Sequence, residues 1–313
     1  MTRSRRLPQG LSTGPYGEFV SLSRRGLLIG AGGAAAALGT LGVAVDEGLL
    51  PGRTRLQHAL GLTDPAGHVP DARPGYAVSG SFASRHRLGA ETGWSVLYPG
   101  PRPRRLPVLV ALHGLHGDHR SWVTELGIDR FLVTAVQSGV PPFAIATVDC
   151  GSAYWHPRPD GEDSGAMVTD EFPPLLSRQG LDTGRLGFHG YSMGGYGSLR
   201  LAPIVGAPLV RAVAALSAAI WQPGGGFSSS GFASQAEYDR FTVFGRQSGL
   251  DGIPLRLDCG TDDPFCPADR AYVAGFARPV TSTFTAGGHD PAYWTRMLPA
   301  QLSFVGRALG SSP

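Results

Sequence analysis

The chain has 313 residues, of which 42% are hydrophobic and 16% are charged, values that are ordinary for a globular protein with a sizeable core. It contains no lysine, so arginine supplies all 27 basic residues, and the formal net charge is only +3. Because no basic stripe with interleaved aromatic residues accompanies this charge, nucleic acid is excluded as an expected partner.

The first 45 residues have the pattern of an export signal. Arg24 and Arg25 stand directly before an uncharged stretch, 27–45, that is rich in alanine and glycine. A basic segment followed by an apolar one is typical of secretory signals, and paired arginines indicate the twin-arginine export machinery as a partner. The same 19 residues are just long enough to span a bilayer, which leaves a retained membrane anchor open. We therefore expect an exported protein, in the cell envelope or extracellular.

Residues 46–75 contain several proline- and glycine-rich turns and predict an irregular linker. After it, two antiparallel strands are predicted at 77–84 and 94–100, followed by short apolar runs typical of strands buried on both faces. Those runs lie at 107–114, 143–149, 185–190, 212–218, 253–260 and 280–286. Helical stretches alternate with them at 121–138, 166–178, 193–202, 234–244, 267–276 and 291–309. Residues 76–313 thus predict an α/β fold, a mostly parallel central sheet with an antiparallel N-terminal edge and helices on both faces.

A glycine- and serine-rich segment, 221–233, interrupts this alternation. Its composition predicts either a flexible surface loop or a lid over a pocket, and the sequence does not separate the two.

Ser192 lies in the stretch FHGYSMGGYGS, between a predicted strand and a predicted helix that Pro203 is expected to stop. The pattern G-x-S-x-G is common by chance in a chain with 46 glycines, so its context decides its value. A serine at a strand-to-helix turn with glycines on both sides is held in a strained conformation, with its hydroxyl above the sheet edge. Such a hydroxyl still needs a base and an orienting acid before it can act as a nucleophile.

Both groups follow in the chain, each just beyond a predicted strand. Asp262 and Asp263 come after the strand at 253–260, and His289 comes after the strand at 280–286. The order Ser, Asp, His is that of the α/β-hydrolases. The acid in that fold usually lies three residues after a glycine, which favours Asp263 and leaves Asp262 as a turn residue. The predicted catalytic residues are therefore Ser192, Asp263 and His289, with the imidazole as base and the carboxylate fixing its tautomer.

The oxyanion hole of such a site is made by two backbone amides, one directly after the nucleophile and one from the loop after the third strand. These are predicted to be the amides of Met193 and Leu115. The second loop, HGLHGDHRSW, also resembles the histidine- and aspartate-rich ligand run of metallo-β-lactamases. Its first histidine is displaced by one position and no distal histidine partners follow, so we predict no metal site and take His113 as a further candidate for contacting substrate.

The three cysteines are Cys150, Cys259 and Cys266. An exported chain can hold a disulfide, and Cys259 and Cys266 are close in sequence, but spacing does not show whether their geometry permits a bond. A zinc site made from three dispersed cysteines is not expected.

Four motifs together resemble the esterase D and mycolyltransferase group of α/β-hydrolases: HGL at 113–115, GYSMGG at 190–195, GTDDPF at 260–265 and GGHDPAYW at 287–294. The resemblance covers about residues 76–309. It implies the triad and oxyanion hole named above, no cofactor, and a small-molecule or lipid ester as substrate. The stretch DCGSAYWHPR, 149–158, resembles a loop near the site in this family. It makes Trp155, His156 and Arg158 candidates for substrate contact or for packing within the loop.

Three functions remain open at this stage. The first is an exported serine carboxylesterase that acts through an acyl-enzyme. The second is an acyltransferase, in which a sugar or lipid hydroxyl replaces water in the second step. The third is an envelope-binding protein that keeps the fold without catalysis, because fold does not fix function.

Overall fold

The computed structural model describes residues 65–101 and 105–311. Within them, eight strands form one sheet: β1 (Ala77–Ala83), β2 (Glu91–Leu97), β3 (Pro107–Leu112), β4 (Ala144–Val148), β5 (Asp182–Tyr191), β6 (Val210–Leu216), β7 (Leu255–Gly260) and β8 (Thr281–Thr285). Their order across the sheet is β1-β2-β4-β3-β5-β6-β7-β8. β2 runs antiparallel to both of its neighbours, and all the other pairs are parallel. The predicted fold class is confirmed.

The helices lie between the strands along the chain. They are α1 (Ser121–Thr124), α2 (Ile128–Gln137), α3 (Phe172–Arg178), α4 (Met193–Val205), α5 (Gln235–Phe241), α6 (Cys266–Ala274) and α7 (Pro291–Gly310). A short helical turn, Ser164–Ala166, and a π-helical segment, Met167–Glu171, lead into α3, and a 3₁₀ turn spans Gln247–Leu250.

Two hydrophobic cores cover the two faces of the sheet, which is why β3 is buried along its whole length. Successive side chains of a strand point to opposite faces. Val108 and Val110 accordingly pack in the core that contains the buried residues of α4. Leu109 and Ala111 pack in the core that contains those of α2 and α7. The continuous apolar runs of the sequence are therefore strands with helices on both sides.

The structure corrects three predicted boundaries. The predicted helix 121–138 is two helices, because Gly127 adopts a left-handed φ of 63° between them. Pro203 does not stop α4, which continues until Gly206 takes a φ of 89°. A proline in the last turn removes a single backbone hydrogen bond close to the helix end, where the loss is tolerated. The second strand begins at Glu91 rather than 94 and ends at Leu97, before the turn residues that were predicted to continue it.

The predicted export signal, 1–45, and most of the predicted linker, 46–75, lie outside the described residues, so both stay predictions. Residues 65–75 are described and have no regular secondary structure. In the described part of the chain, no helix has the length and apolar character needed to cross a membrane.

Cys150, Cys259 and Cys266 are buried free thiols in the structure. Cys259 hydrogen-bonds to the carboxyl group of Asp269, and burial raises the pKa of the Cys259 thiol. The spacing of Cys259 and Cys266 left a disulfide between them open, and in the structure the two are separate thiols.

Candidate active site

Ser192 occupies the turn between β5 and α4, with φ 54° and ψ −122°. For a residue with a side chain this is a strained conformation, and it persists only where the surroundings fix it. Two glycines permit the turn: a Cβ on Gly190 would lie 1.9 Å from the carbonyl oxygen of Gly194, and one on Gly194 would lie 1.9 Å from that of Leu112. The Ser192 amide donates to the Leu216 carbonyl at 2.9 Å. The backbone of the turn is therefore fixed by packing and by hydrogen bonding to β6.

The structure brings the three predicted triad side chains into one hydrogen-bonded chain. His289 Nε2 lies 2.9 Å from Ser192 Oγ, and His289 Nδ1 lies 2.8 Å from Asp263 Oδ2. The second oxygen of Asp263 accepts the backbone N–H of Phe265 at 2.9 Å, and the carboxylate is fully shielded from solvent. A buried carboxylate held in this way requires a proton on Nδ1 and leaves Nε2 as the acceptor of the serine hydroxyl proton.

The start of α7 positions His289. Asp290 caps the helix by accepting the Tyr293 N–H at 3.0 Å, and Pro291 occupies the first turn, where a missing N–H costs nothing. One turn later, the ring of Trp294 meets the imidazole edge-on at 5.0 Å. The motif HDPAYW thus contains His289, the residue Asp290 that caps the following helix, and the ring of Trp294 that packs against the imidazole.

The loop after β3 lies directly beside Ser192. A Cβ built on Gly114 would be 3.4 Å from the Cβ of Ser192, and the Gly117 N–H closes a tight turn onto the Gly114 carbonyl at 3.1 Å. Leu115 and His116 are the central residues of this turn, and His116 has a left-handed φ of 64°. Met193 is the first residue of α4, so its N–H belongs to the turn that has no acceptor within the helix. The structure therefore places the two predicted oxyanion donors, Leu115 and Met193, on the two segments that flank the Ser192 hydroxyl.

A cavity of about 500 Å³ opens over Ser192 and His289. Aromatic rings form much of its wall, with two polar side chains at the loop after β3 and at the end of α1. The lining residues are Gly114, Leu115, His116, Gly117, Glu125, Tyr154, Tyr191, Ser192, Trp221, Ser228, Phe265, His289 and Trp294. Its volume falls in the range of roughly 300–1,000 Å³ that is typical of small-molecule sites.

The glycine- and serine-rich segment 221–233 forms one wall of this cavity through Trp221 and Ser228. It is tied to α5, because the Tyr238 hydroxyl donates to the Trp221 carbonyl at 2.7 Å. Its far end is buried at Phe232. The segment thus lines the cavity and is packed at its two ends, while 222–226 and 228–230 are exposed, so it has features of both predicted structures.

The four predicted substrate contacts, His113, Trp155, His156 and Arg158, are not among the residues that line the cavity. Trp155 and His156 are completely buried. His156 lies between the rings of Phe232 and Phe241, and burial lowers its pKa. Arg158 donates to the Gly231 carbonyl at 2.6 Å and pairs with Glu237 at 3.3 Å. In the structure these side chains pack within and between the loops around the cavity, and their contact with substrate stays a prediction.

The histidines and the aspartate of the loop after β3 do not converge. His116 faces the cavity, His119 accepts or donates a bond with Ser95 at 2.7 Å, and His113 bonds the Gly114 carbonyl at 2.7 Å. The described residues contain no group of three or more histidine, cysteine, aspartate or glutamate side chains arranged to hold a metal ion.

Sequence reasoning missed several residues of the cavity wall. Tyr154 is in the loop 149–158, from which Trp155, His156 and Arg158 were predicted instead. Tyr154 and Trp155 both have a positive φ, and only the Tyr154 ring lines the cavity. Phe265 and Trp294 lie in the motifs GTDDPF and GGHDPAYW, which could have identified them as cavity residues. No sequence motif identifies Glu125, which lies at the end of α1 just before the break at Gly127.

Three comparisons relate the chain to known proteins. A family model described as putative esterase matches residues 86–305. Among solved structures, a ferulic acid esterase is 23% identical with a TM-score of 0.63, over 74% of this chain and 98% of the other. An S-formylglutathione hydrolase from Agrobacterium tumefaciens is 18% identical with a TM-score of 0.63, over 79% and 100%. An esterase from Anaeromyces mucronatus, in complex with ferulic acid, is 20% identical with a TM-score of 0.62, over 77% and 94%. The comparison with curated proteins finds no match.

Proposed function

The chain belongs to the putative esterase family, and from this premise we propose that it is an exported serine carboxylesterase that hydrolyses acyl esters through an acyl-enzyme on Ser192. The observation that carries the proposal is the unbroken hydrogen-bonded chain from Asp263 through His289 to the Ser192 hydroxyl. In the first step, Ser192 Oγ attacks the ester carbonyl carbon while its proton moves to His289 Nε2. The carbonyl oxygen becomes an oxyanion that accepts hydrogen bonds from the backbone N–H groups of Leu115 and Met193.

The collapse of this intermediate breaks the bond between the carbonyl carbon and the alcohol oxygen. His289 returns its proton to the leaving alkoxide, so an alcohol departs and the acyl group stays on Ser192. A water molecule then attacks the acyl carbon, with its proton passing to His289, and the second collapse releases the carboxylic acid and restores the serine. The Asp263 carboxylate stabilises the imidazolium in both steps.

The cavity supports a compact acyl group. Its volume of about 500 Å³ and its wall of Tyr154, Trp221 and Phe265 suit an apolar acyl group. We therefore propose esters with a small or aromatic acyl group as substrates. Transfer of the acyl group to an alcohol shares the first step and is separated by the assay below.

A fluorophosphonate probe and p-nitrophenyl esters of increasing acyl size test the proposal. We expect labelling of the wild type, and loss of both labelling and turnover in Ser192→Ala. Ser228→Ala is the matched control, because Ser228 faces the same cavity. This variant is expected to keep both labelling and turnover. Labelling that survives Ser192→Ala would remove the nucleophile assignment. An acyl-enzyme burst that turns over only after addition of a sugar or other alcohol would replace the hydrolase by an acyltransferase, and an unlabelled wild type would leave a binding protein.

Export is supported by the paired arginines of the sequence. The variant with Arg24→Lys and Arg25→Lys keeps the charge and is expected to retain the protein inside the cell. Fractionation that finds the wild type inside the cell would refute export.

A further inference from the structure

The peptide bond between Gly114 and Leu115 is the unit that decides whether the Leu115 amide can serve the oxyanion. In a trans peptide the carbonyl oxygen and the following N–H point in opposite directions across a rigid plane. Whatever fixes the Gly114 carbonyl therefore also fixes the direction of the Leu115 N–H. The turn itself uses the Gly117 N–H and the Gly114 carbonyl, and it requires nothing from the Leu115 N–H.

His113 holds this carbonyl from the side away from the cavity. Its Nδ1 lies 2.7 Å from the Gly114 oxygen, and its Nε2 lies 3.1 Å from the backbone nitrogen of Cys150, just beyond β4. A backbone N–H can only donate and a carbonyl can only accept, so Nε2 must be the acceptor and Nδ1 must carry the proton. Both bonds are therefore satisfied by a single tautomer of the neutral ring.

The surroundings of His113 keep the ring in this state and place. The side chain is 1% exposed, and its ring meets that of Trp155 edge-on at 5.1 Å. Burial lowers the pKa of His113, against smaller opposing effects of the Gly114 carbonyl, Asp149 and Asp118. The His113 side chain thus connects the end of β4 to the loop after β3 through two hydrogen bonds.

Tyr191 holds Gly114 from the opposite side. A Cβ on Gly114 would lie 2.6 Å from Cε2 of Tyr191, so the ring lies flush against this residue. Burial raises the pKa of the Tyr191 phenol, and the Tyr191 hydroxyl donates to Glu125 Oε2 at 3.5 Å. The Tyr191 ring is itself held between Trp122 and Trp294, at 4.8 and 4.7 Å.

We propose that His113 is a positioning residue of the reaction, which aims the Leu115 N–H at the oxyanion by fixing the Gly114 carbonyl through Nδ1–H, while the Tyr191 ring packs against the same glycine. The inference rests on the proposed esterase function. It assigns His113 a role that does not involve touching the substrate. The two ring nitrogen atoms have different tasks: Nδ1 fixes the Gly114 carbonyl for the reaction, whereas Nε2 holds the ring to the backbone of Cys150.

A matched pair of variants separates these two atoms. His113→Asn keeps a donor near the position of Nδ1 and loses the acceptor for the Cys150 N–H. His113→Gln keeps an acceptor near the position of Nε2 and loses the donor to the Gly114 carbonyl. Both lose the aromatic contact with Trp155, so both are expected to lower the melting temperature by similar amounts.

We expect kcat on p-nitrophenyl acetate to fall about 10- to 100-fold in His113→Gln, below the roughly 10²–10³ for removal of an oxyanion donor outright. In His113→Asn it is expected to stay within about fivefold of the wild type, and KM within about threefold in both, because the lost interaction is specific to the transition state. The inhibition constant of a trifluoromethyl ketone, which forms the oxyanion on Ser192, should rise in parallel with the loss in kcat/KM.

Titration of active sites with the fluorophosphonate probe provides a second measurement if both histidine variants fold poorly. It expresses kcat per labelled, folded site, so a larger loss in His113→Gln than in His113→Asn is still detected. Equal losses of kcat per labelled site in His113→Asn and His113→Gln would overturn the inference while the wild type remains an esterase. A wild type that neither labels nor hydrolyses would overturn the proposed function, and this inference with it.

Discussion

Replacement of Asp263 by asparagine tests the triad at its least accessible group. The two carboxylate oxygens have different partners: Oδ1 accepts the Phe265 N–H at 2.9 Å, and Oδ2 faces His289 Nδ1 at 2.8 Å. In Asp263→Asn the Phe265 N–H still requires an acceptor, so the amide oxygen is expected to remain at the first position. The NH₂ group then faces Nδ1 and donates to it, which forces the proton of His289 onto Nε2. In that tautomer the imidazole cannot accept the proton of Ser192.

The size of the effect follows from the shielding of the site. No part of the Asp263 side chain is exposed, so water cannot restore the lost acceptor. We therefore expect kcat to fall by about 10⁴-fold, the loss found when a triad aspartate becomes asparagine with the geometry intact. That corresponds to about 5 kcal/mol of transition-state stabilisation. Asp263→Ala does not impose the wrong tautomer and is expected to be at least as active as Asp263→Asn.

Steady-state hydrolysis of p-nitrophenyl acetate and the rate of fluorophosphonate labelling measure this effect, with the melting temperature as a control for folding. Asp262→Asn is the matched substitution at the adjacent residue and is expected to remain within about threefold of the wild type, because it is Asp263 Oδ2 that lies 2.8 Å from His289 Nδ1. If Asp263→Asn keeps more than a tenth of the wild-type kcat, the tautomer argument is refuted. If Asp262→Asn is the variant that loses activity, the acid has been assigned to the wrong aspartate.

Two further predictions concern the fold around the site. Gly194→Ala would put a Cβ 1.9 Å from the Leu112 carbonyl oxygen and is expected to prevent soluble expression, whereas Gly226→Ala, where a Cβ meets nothing within 4 Å, is expected to leave the melting temperature unchanged. A folded, active Gly194→Ala would contradict the packing of the turn. Burial lowers the pKa of His189 from 6.5 to about 3, so between these pH values the unfolded chain binds a proton that the folded chain does not. Stability is therefore expected to fall as the pH drops below 6.5, by up to about 1.4 kcal/mol per pH unit from this residue. His189→Asn should flatten that slope in urea unfolding, and parallel profiles for the two proteins would refute the assignment.

The sequence was sufficient for the parts of the site that lie at strand ends. In parallel strands the carboxyl ends meet at one edge of the sheet, so Ser192, Asp263 and His289, each just beyond an apolar run, were expected to meet there. The structure adds the two hydrogen bonds, from Asp263 to His289 and from His289 to Ser192, that join them. The loop of Leu115 was predicted from the usual position of the oxyanion loop in this fold, and the structure adds that β3 and β5 are neighbours in the sheet.

Side-chain direction in the loops could not be predicted in this way. Trp155 and His156 are aromatic residues in a loop near the site, a description that fits a cavity wall and a loop core equally well. His156 is buried by Phe232 and by Phe241 of α5, about 80 positions later in the chain, whereas Trp155 packs against His113 and against Gly197 of α4. The residue that does reach the cavity, Tyr154, differs from its neighbour only in the direction imposed by two consecutive left-handed residues, and local sequence does not reveal that choice.

β6 explains why part of the site leaves no motif in the sequence. It lies between β5, which ends at the serine, and β7, which precedes the acid, yet it contributes no group to the proposed chemistry. Its end supports both partners instead: the Ala219 N–H donates to the Ser192 carbonyl at 2.9 Å, and the Ser217 hydroxyl accepts the indole N–H of Trp294 at 3.0 Å. Trp294 in turn lies against His289. Ser217 has a φ of 47°, so a turn directly after β6 contacts both the backbone of the nucleophile and the ring that lies against the base.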